Sequence, residues 1–217
     1  MIRVDEYRFS RRKTLAVCID VFGRVIVRAP KGCPQKRIEA FLQSKEGWIT
    51  RHKQGKEENL SLLPTQIDGY KLPYLGEELL LCVTDVKRVK REGNDLLLPM
   101  ANAKAALTAW LKRQAREFLL SRTIYWQEKM GVRCSCVKIS SARRKWGSCS
   151  SKDEIRYAYR LLFVPQDLVD YVVVHELAHI RHKNHSAAFW SEVKKYMPDC
   201  VARRKNLQNY AVCLEIF

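Results

Sequence analysis

The sequence predicts an α+β fold: a β-rich N-terminal half with one helix, residues 1–99, then a mostly helical C-terminal domain with a small sheet, residues 100–217. Three observations predict it. Period-two alternation of apolar residues is concentrated before Pro99. Long 3.6-residue periodicity, free of Gly and Pro, dominates after it. Pro99 itself stands between the last strand-like segment and the longest helical one. The chain has 217 residues, 47% of them hydrophobic and 29% charged, which is enough to bury a core and excludes disordered, collagen-like and low-complexity classes.

Thr14 to Asp20 alternates, with Leu15, Val17 and Ile19 on one face. Phe22-Gly23 supplies a turn, and Arg24 to Arg28 alternates again, so the pair reads as a hairpin ended by Pro30 and Gly32. Pro34 opens a helical segment running to about Lys53, with Ile38, Phe41, Leu42, Lys45, Trp48 and Ile49 near a 3.6 period. Gly55 to Pro64 is polar and turn-rich. Leu72 to Val83, turning at Tyr74-Leu75-Gly76-Glu77, and Asp95 to Leu98 read as short strands. Ala101 to Met130 is one long helix stopped by Gly131. Within it Trp110, Tyr125 and Trp126 read as core. Val137 to Ile139 and Ile155 to Leu162 are strands, and Pro165 is expected as the first residue of a further helix.

The charge narrows the partners. There are 40 Lys+Arg against 23 Asp+Glu, a net +17. Nine cations lie between Arg8 and Arg37, opposed by Asp20 alone, and seven between Lys129 and Lys152, opposed by no acid. Such a surface attracts polyanions, nucleic acid or nucleotide, or else simply keeps the protein soluble. No apolar run approaches the ~20 residues of a membrane span. No signal-peptide pattern opens the chain, so its 8 cysteines read as reduced thiols of a cytoplasmic protein.

The chemistry concentrates in Val174 to Trp190, which reads VHELAHIRHKNHSAAFW. It holds H-E-x-x-H as His175, Glu176 and His179. Residues four apart share a helix face, so both imidazoles reach one metal ion. Glu176 sits about 100° round the helix, where it faces a water on that metal as general base. The motif arises by chance in on the order of half a per cent of chains of this length. Its context is sharper: of 5 histidines in the chain, four lie between His175 and His185.

Catalytic zinc usually takes three protein ligands and one water. His182 and His185 are the local candidates for the third. Asn184 tolerates a helix-ending conformation and Ser186 can cap a new helix from Ala187 to Tyr196, a break that swings His185 back to the metal and favours it. Glu192, on that second helix, stays open as a distant carboxylate ligand. Cys134-x-Cys136 has the wrong spacing for an ordinary structural zinc site.

Several runs resemble one family. They are Arg144-Lys145-Trp146-Gly147-Ser148-Cys149-Ser150-Ser151, Tyr159-Arg160-Leu161-Leu162, Pro165, Asp170 to Val174, HELAH, Asn184-His185-Ser186, Phe189-Trp190 and Pro198-Asp199. In the N-terminal half, Ser10 to Leu15, Val27 to Pro30 and Trp48-Ile49 extend the likeness. Together they resemble the YgjP-like metallopeptidases, related in their metal helix to the SprT and WLM groups of zinc peptidases. The resemblance implies a zincin-like C-terminal domain, one zinc per chain on His175, His179 and His185, and Glu176 as the family's glutamate.

Substrate contacts are expected from Arg143, Arg144, Trp146, Tyr157, Tyr159 and Arg160. The first three sit on a loop between short strands. The others are candidates to stabilise an oxyanion, and the strand from Ile155 is expected to pair with an extended substrate, as in zincin-type peptidases. The function expected is zinc-dependent hydrolysis of a peptide or protein. Two alternatives stand beside it: a metal-dependent nucleotide phosphoanhydride hydrolase, and a non-catalytic basic module, associated with nucleic acid, with structural zinc.

Overall fold

The structure, a computed structural model, describes residues 2–54, 56 and 63–217. Most of the polar stretch expected from Gly55 to Pro64 lies outside the described residues. The chain forms two compact units, Met1–Leu63 and Pro64–Phe217.

In the first unit, β2 (Ala16–Ile19) and β3 (Val25–Pro30) form the expected antiparallel hairpin. A strand the sequence did not announce, β1 (Glu6–Ser10), lies parallel to β3 on its other side, giving the order β1-β3-β2. The single helix expected from Pro34 to Lys53 is two: α1 (Gln35–Ser44) and α2 (Glu46–Lys53). Lys45, at φ −109° and ψ 4°, leaves helical geometry and serves as the end of one and the start of the other. Ile38, Leu42 and Ile49 pack on Val25, Val27 and Ala29, so the break lets both short helices face the sheet.

The second unit starts well before Pro99, where the sequence placed a boundary. Its first sheet has the order β4-β5-β7-β6, from β4 (Lys71–Tyr74), β5 (Glu77–Thr84), β6 (Lys90–Glu92) and β7 (Asp95–Pro99). Leu72, Leu79, Leu81, Leu96 and Leu98 are fully buried. The turn at Leu75 and Gly76 is tied to the C-terminal part by a Leu75 N–H to Leu162 carbonyl bond of 2.7 Å. Long-range packing therefore assigns these strands to the C-terminal unit, which the composition of the chain around Pro99 does not disclose.

After a 3₁₀ turn at Met100–Asn102 comes α3 (Ala103–Met130), burying Leu107, Leu111, Ala115 and Leu119 along one stripe. Gly131 ends it at φ 61°, the left-handed cap that glycine adopts without steric cost. Trp110 is buried against Tyr74. Tyr125, expected in the core, is 41% exposed and lies between Arg122 and Lys129.

The second sheet has the order β8-β10-β9, from β8 (Cys136–Ser140), β9 (Gly147–Cys149) and β10 (Glu154–Ala158). The strand expected to run to Leu162 stops at Ala158, and Tyr159–Phe163 is a 3₁₀ turn. Next comes α4 (Gln166–Arg181), which carries the H-E-x-x-H motif. Pro165 precedes its first residue with extended ψ of 149°. Then follow α5 (Ala187–Tyr196), α6 (Cys200–Asn209) and a 3₁₀ turn at Ala211–Glu215. Buried Asp170 on α4 accepts two hydrogen bonds from Arg122 on α3, at 2.7 and 2.8 Å, clamping the two helices. Among the described residues, no helix is long and apolar enough to cross a membrane.

Candidate active site

α4 runs through the core of its unit. Val169, Val172, Val173, Val174, Leu177 and Ala178 are all buried, and His175 and His179 emerge together on the remaining face. The helix stops at Arg181. His182 takes extended geometry, φ −129° and ψ 101°, two residues before the break expected at Asn184. The turn is pinned from the side by Lys183, whose ammonium meets Asp153 and the Ser150 carbonyl. Ser186 then caps α5 by accepting from the Phe189 N–H.

That return brings His185 to the first two histidines. Ligand atoms of His175, His179 and His185 lie within 4.8 Å of one another, and the Nε2 atoms of His175 and His185 are 3.1 Å apart. Nitrogens about 3.3 Å apart surround a tetrahedral zinc at ordinary Zn–N lengths, so the three fit such an ion. His179 Nδ1 is 3.0 Å from the His182 carbonyl, which directs its Nε2 inward. His175 Nδ1 is buried with no hydrogen-bond partner, and this ring is held by aromatic packing instead. Phe189, fully buried, lies 4.9, 4.5 and 4.8 Å from the rings of His175, His179 and His185, forming a common floor.

Burial depresses His175 to about 3, helped by the neighbouring histidines and Arg204, and burial lowers His179 as well. Both imidazoles are thereby neutral, with lone pairs free for a cation. Glu176 is 6% exposed, and burial raises its carboxyl to about 7, against the opposing pull of Lys145 and a backbone bond from Cys149. It lies directly over Gly147 of β9. A carboxylate this poorly solvated accepts a proton readily near neutral pH.

The other expected ligands are elsewhere. The His182 side chain is not in the trio; only its carbonyl serves the site. Glu192 is paired with Arg181. Cys134 and Cys136 are free thiols, and among the described residues the histidine trio is the one metal-type cluster.

The substrate candidates divide. Arg144 and Trp146 line a cavity of about 380 Å³ that His175 and Glu176 also line. Arg143 points to Glu215 at 3.5 Å. Tyr157 is fully buried, its hydroxyl 3.3 Å from Thr123. The Tyr159 hydroxyl donates to the Phe217 oxygen at 3.0 Å. Arg160, 2% exposed, donates to backbone oxygens of Ser141, Ile216 and Phe217. These last three are architectural: Tyr157 lies on the buried face of β10, and the switch to a 3₁₀ turn after Ala158 points Tyr159 and Arg160 into the fold. Nor is β10 open to a substrate strand: it is the central strand, paired on both sides, and β8 and β9 are the edges.

Residues the motif reading left without a role complete the site. Tyr171, one turn before His175, and Trp190, whose ring is 5.8 Å from that of His185, flank the imidazoles. Arg204 of α6 lies over Trp190 at 5.2 Å. The aromatic residues carried a helical signal, Tyr171 at i−4 from His175. Arg204 carried none.

No curated protein matches this sequence. Among solved structures, the metallopeptidase zymogen of Pyrococcus abyssi abylysin is similar at 21% identity and a TM-score of 0.39, over 42% of this chain and 92% of that one. The metallopeptidase zymogen of Methanocaldococcus jannaschii jannalysin is similar at 20% identity and a TM-score of 0.38, over 42% and 94%. The YgjP-like metallopeptidase domain matches residues 13–210, most of the chain including the whole histidine site, so this chain belongs to the YgjP-like family and is a metal-dependent peptidase.

Proposed function

We propose that this protein is a zinc peptidase in which His175, His179 and His185 hold one zinc ion and Glu176 is the general base. The observation that carries it is the convergence of three imidazoles from α4 and the following turn beside a buried carboxylate. Bound zinc supplies Lewis acidity toward water and toward the scissile carbonyl. Glu176 takes the proton of the attacking water and returns it to the leaving amine. Its burial keeps the proton affinity needed for both steps. Phe189 and the His182 carbonyl hold the imidazole rings in orientation.

A second reading, phosphoanhydride hydrolysis, draws on Arg144 and Lys145 beside the same carboxylate. A structural zinc is less well supported, since a closed site needs a fourth ligand and His182 does not supply one. The basic surface also suits contact with nucleic acid, which salt-sensitive binding would reveal.

The test is elemental analysis of the untagged protein with parallel hydrolysis assays on peptides and nucleotides. About one zinc per chain and peptide cleavage lost in Glu176→Gln, with the metal retained, is the expected result. Glu176→Gln at full activity overturns the proposal. Glu176-dependent phosphate release without peptide cleavage shifts it to the second reading.

A further inference from the structure

Several cations on the surface of the C-terminal unit are paired with nearby acids. Arg203 is bound by Asp199 and Asp167, Arg143 meets Glu215, and Lys138 and Arg156 share Glu154. Three others are set apart by their place. Arg144, Lys145 and Arg204 line the cavity beside His175 and Glu176, and none of them makes a close ion pair among the described residues. Glu176 is the one acid in the cavity wall. The remaining wall is largely apolar, with Trp146, Tyr171 and Leu214.

Three cations around one apolar floor make a local positive potential that attracts an anion. Arg204 is the best placed of the three. Its guanidinium lies over Trp190, and Trp190 is stacked with His185 at 30° between ring planes, so its position is registered to the histidine cluster. Arginine held face-on keeps its N–H edge available for a carboxylate.

We infer that the substrate carries a carboxylate on the residue that enters this cavity next to the scissile bond, bound by Arg204 and Arg144 while its carbon chain lies on Trp146 and Tyr171. The inference rests on the peptidase reading above. A cavity of about 380 Å³ suits one or two residues rather than a folded segment. The carboxylate has two sources: the side chain of an acidic residue, or the C-terminus of a peptide cut near its end.

The zinc-loaded protein is given synthetic decapeptides with randomised centres, and the cut sites are read by mass spectrometry. Matched peptides with Glu or Gln at the preferred position, and with free-acid or amidated C-termini, are then compared. The Glu or free-acid form is expected to be cleaved about tenfold better in kcat/KM, the worth of one charge-assisted pair. In Arg144→Gln/Arg204→Gln the ratio falls to about one, and Arg204→Lys restores part of it. Both sites are exposed, so the variants retain the fold. Binding of the same peptides to Glu176→Gln by calorimetry shows the same order without turnover. Preference for the free acid alone identifies a terminal carboxylate; preference for Glu within amidated peptides identifies a side chain. Glu176-dependent cleavage indifferent to charge, or a preference unchanged in the double variant, overturns this inference and leaves the peptidase reading standing. No cleavage of any peptide overturns both.

Discussion

Gly147 and Glu176 are in contact across the gap between β9 and α4. A β-carbon placed on Gly147 would lie 2.7 Å from Oε1 of Glu176 and 2.8 Å from its Cγ. Position 147 therefore sets where the proposed base stands, and any side chain there must displace it. Gly147→Ala is expected to retain zinc and to lose at least about tenfold in kcat, with a stability cost of about 1–3 kcal/mol. Metal analysis, urea unfolding and a rate assay check it. An alanine variant with unchanged kcat would show that the carboxylate is not held by this contact.

His185→Ala removes the proposed ligand that belongs to the turn rather than the helix. Its side chain is exposed and lies at the rim, so the apo protein should unfold at the same urea concentration as wild type. Zinc affinity should drop by at least about tenfold. Competition with a coloured chelator measures it, and equal affinity in the two proteins would remove His185 from the metal set.

Asp170→Ala leaves the Arg122 guanidinium half-buried with its carboxylate gone. Both side chains are largely shielded, 20% and 13% exposed, so the loss is expected at about 2–3 kcal/mol. Arg122→Met/Asp170→Leu should cost clearly less than the sum of the two single losses, because no orphaned charge remains. Additivity in that cycle would deny the pair its coupling.

Glu154 provides a pH signature away from the site. Hydrogen bonds from Lys138 and Arg156 pull its carboxyl down to about 2 from an ordinary 4.5. The folded state therefore holds this proton less tightly than the unfolded state. Its contribution is complete above about pH 4.5 and is lost as pH falls toward 2. Glu154→Gln should unfold less steeply with acid over that window. The pair is exposed, so the effect is small, and identical acid titrations would deny it any share.

Much of this was legible in the residues. The histidine pair, Ser186 as cap, Gly131 as stop and the β2–β3 hairpin all follow from local rules of spacing and turn chemistry. Those rules act within one helix turn or one strand pair. What they missed acts over longer range. β1 has no strong alternation and exists because it pairs with β3. Tyr157 and Tyr159 looked like one strand face with Arg160 following in the same strand, but the backbone changes from period two to period three at Ala158. Arg160 is then claimed by carbonyls more than fifty residues away. Arg204 reaches the site only because α6 docks against α4, and no spacing announces that.

Phe189 also bears on the order in which the site is made. Two of its three imidazole neighbours belong to α4, and the third arrives only when α5 seats this ring. A chain with α4 formed and α5 undocked would offer a two-nitrogen half-site and hold zinc weakly. On the proposed ligand set, tight chelation would thus report on tertiary assembly, and a bound ion would staple α5 in place. Partly folded copies, lacking the third nitrogen, would be hydrolytically silent.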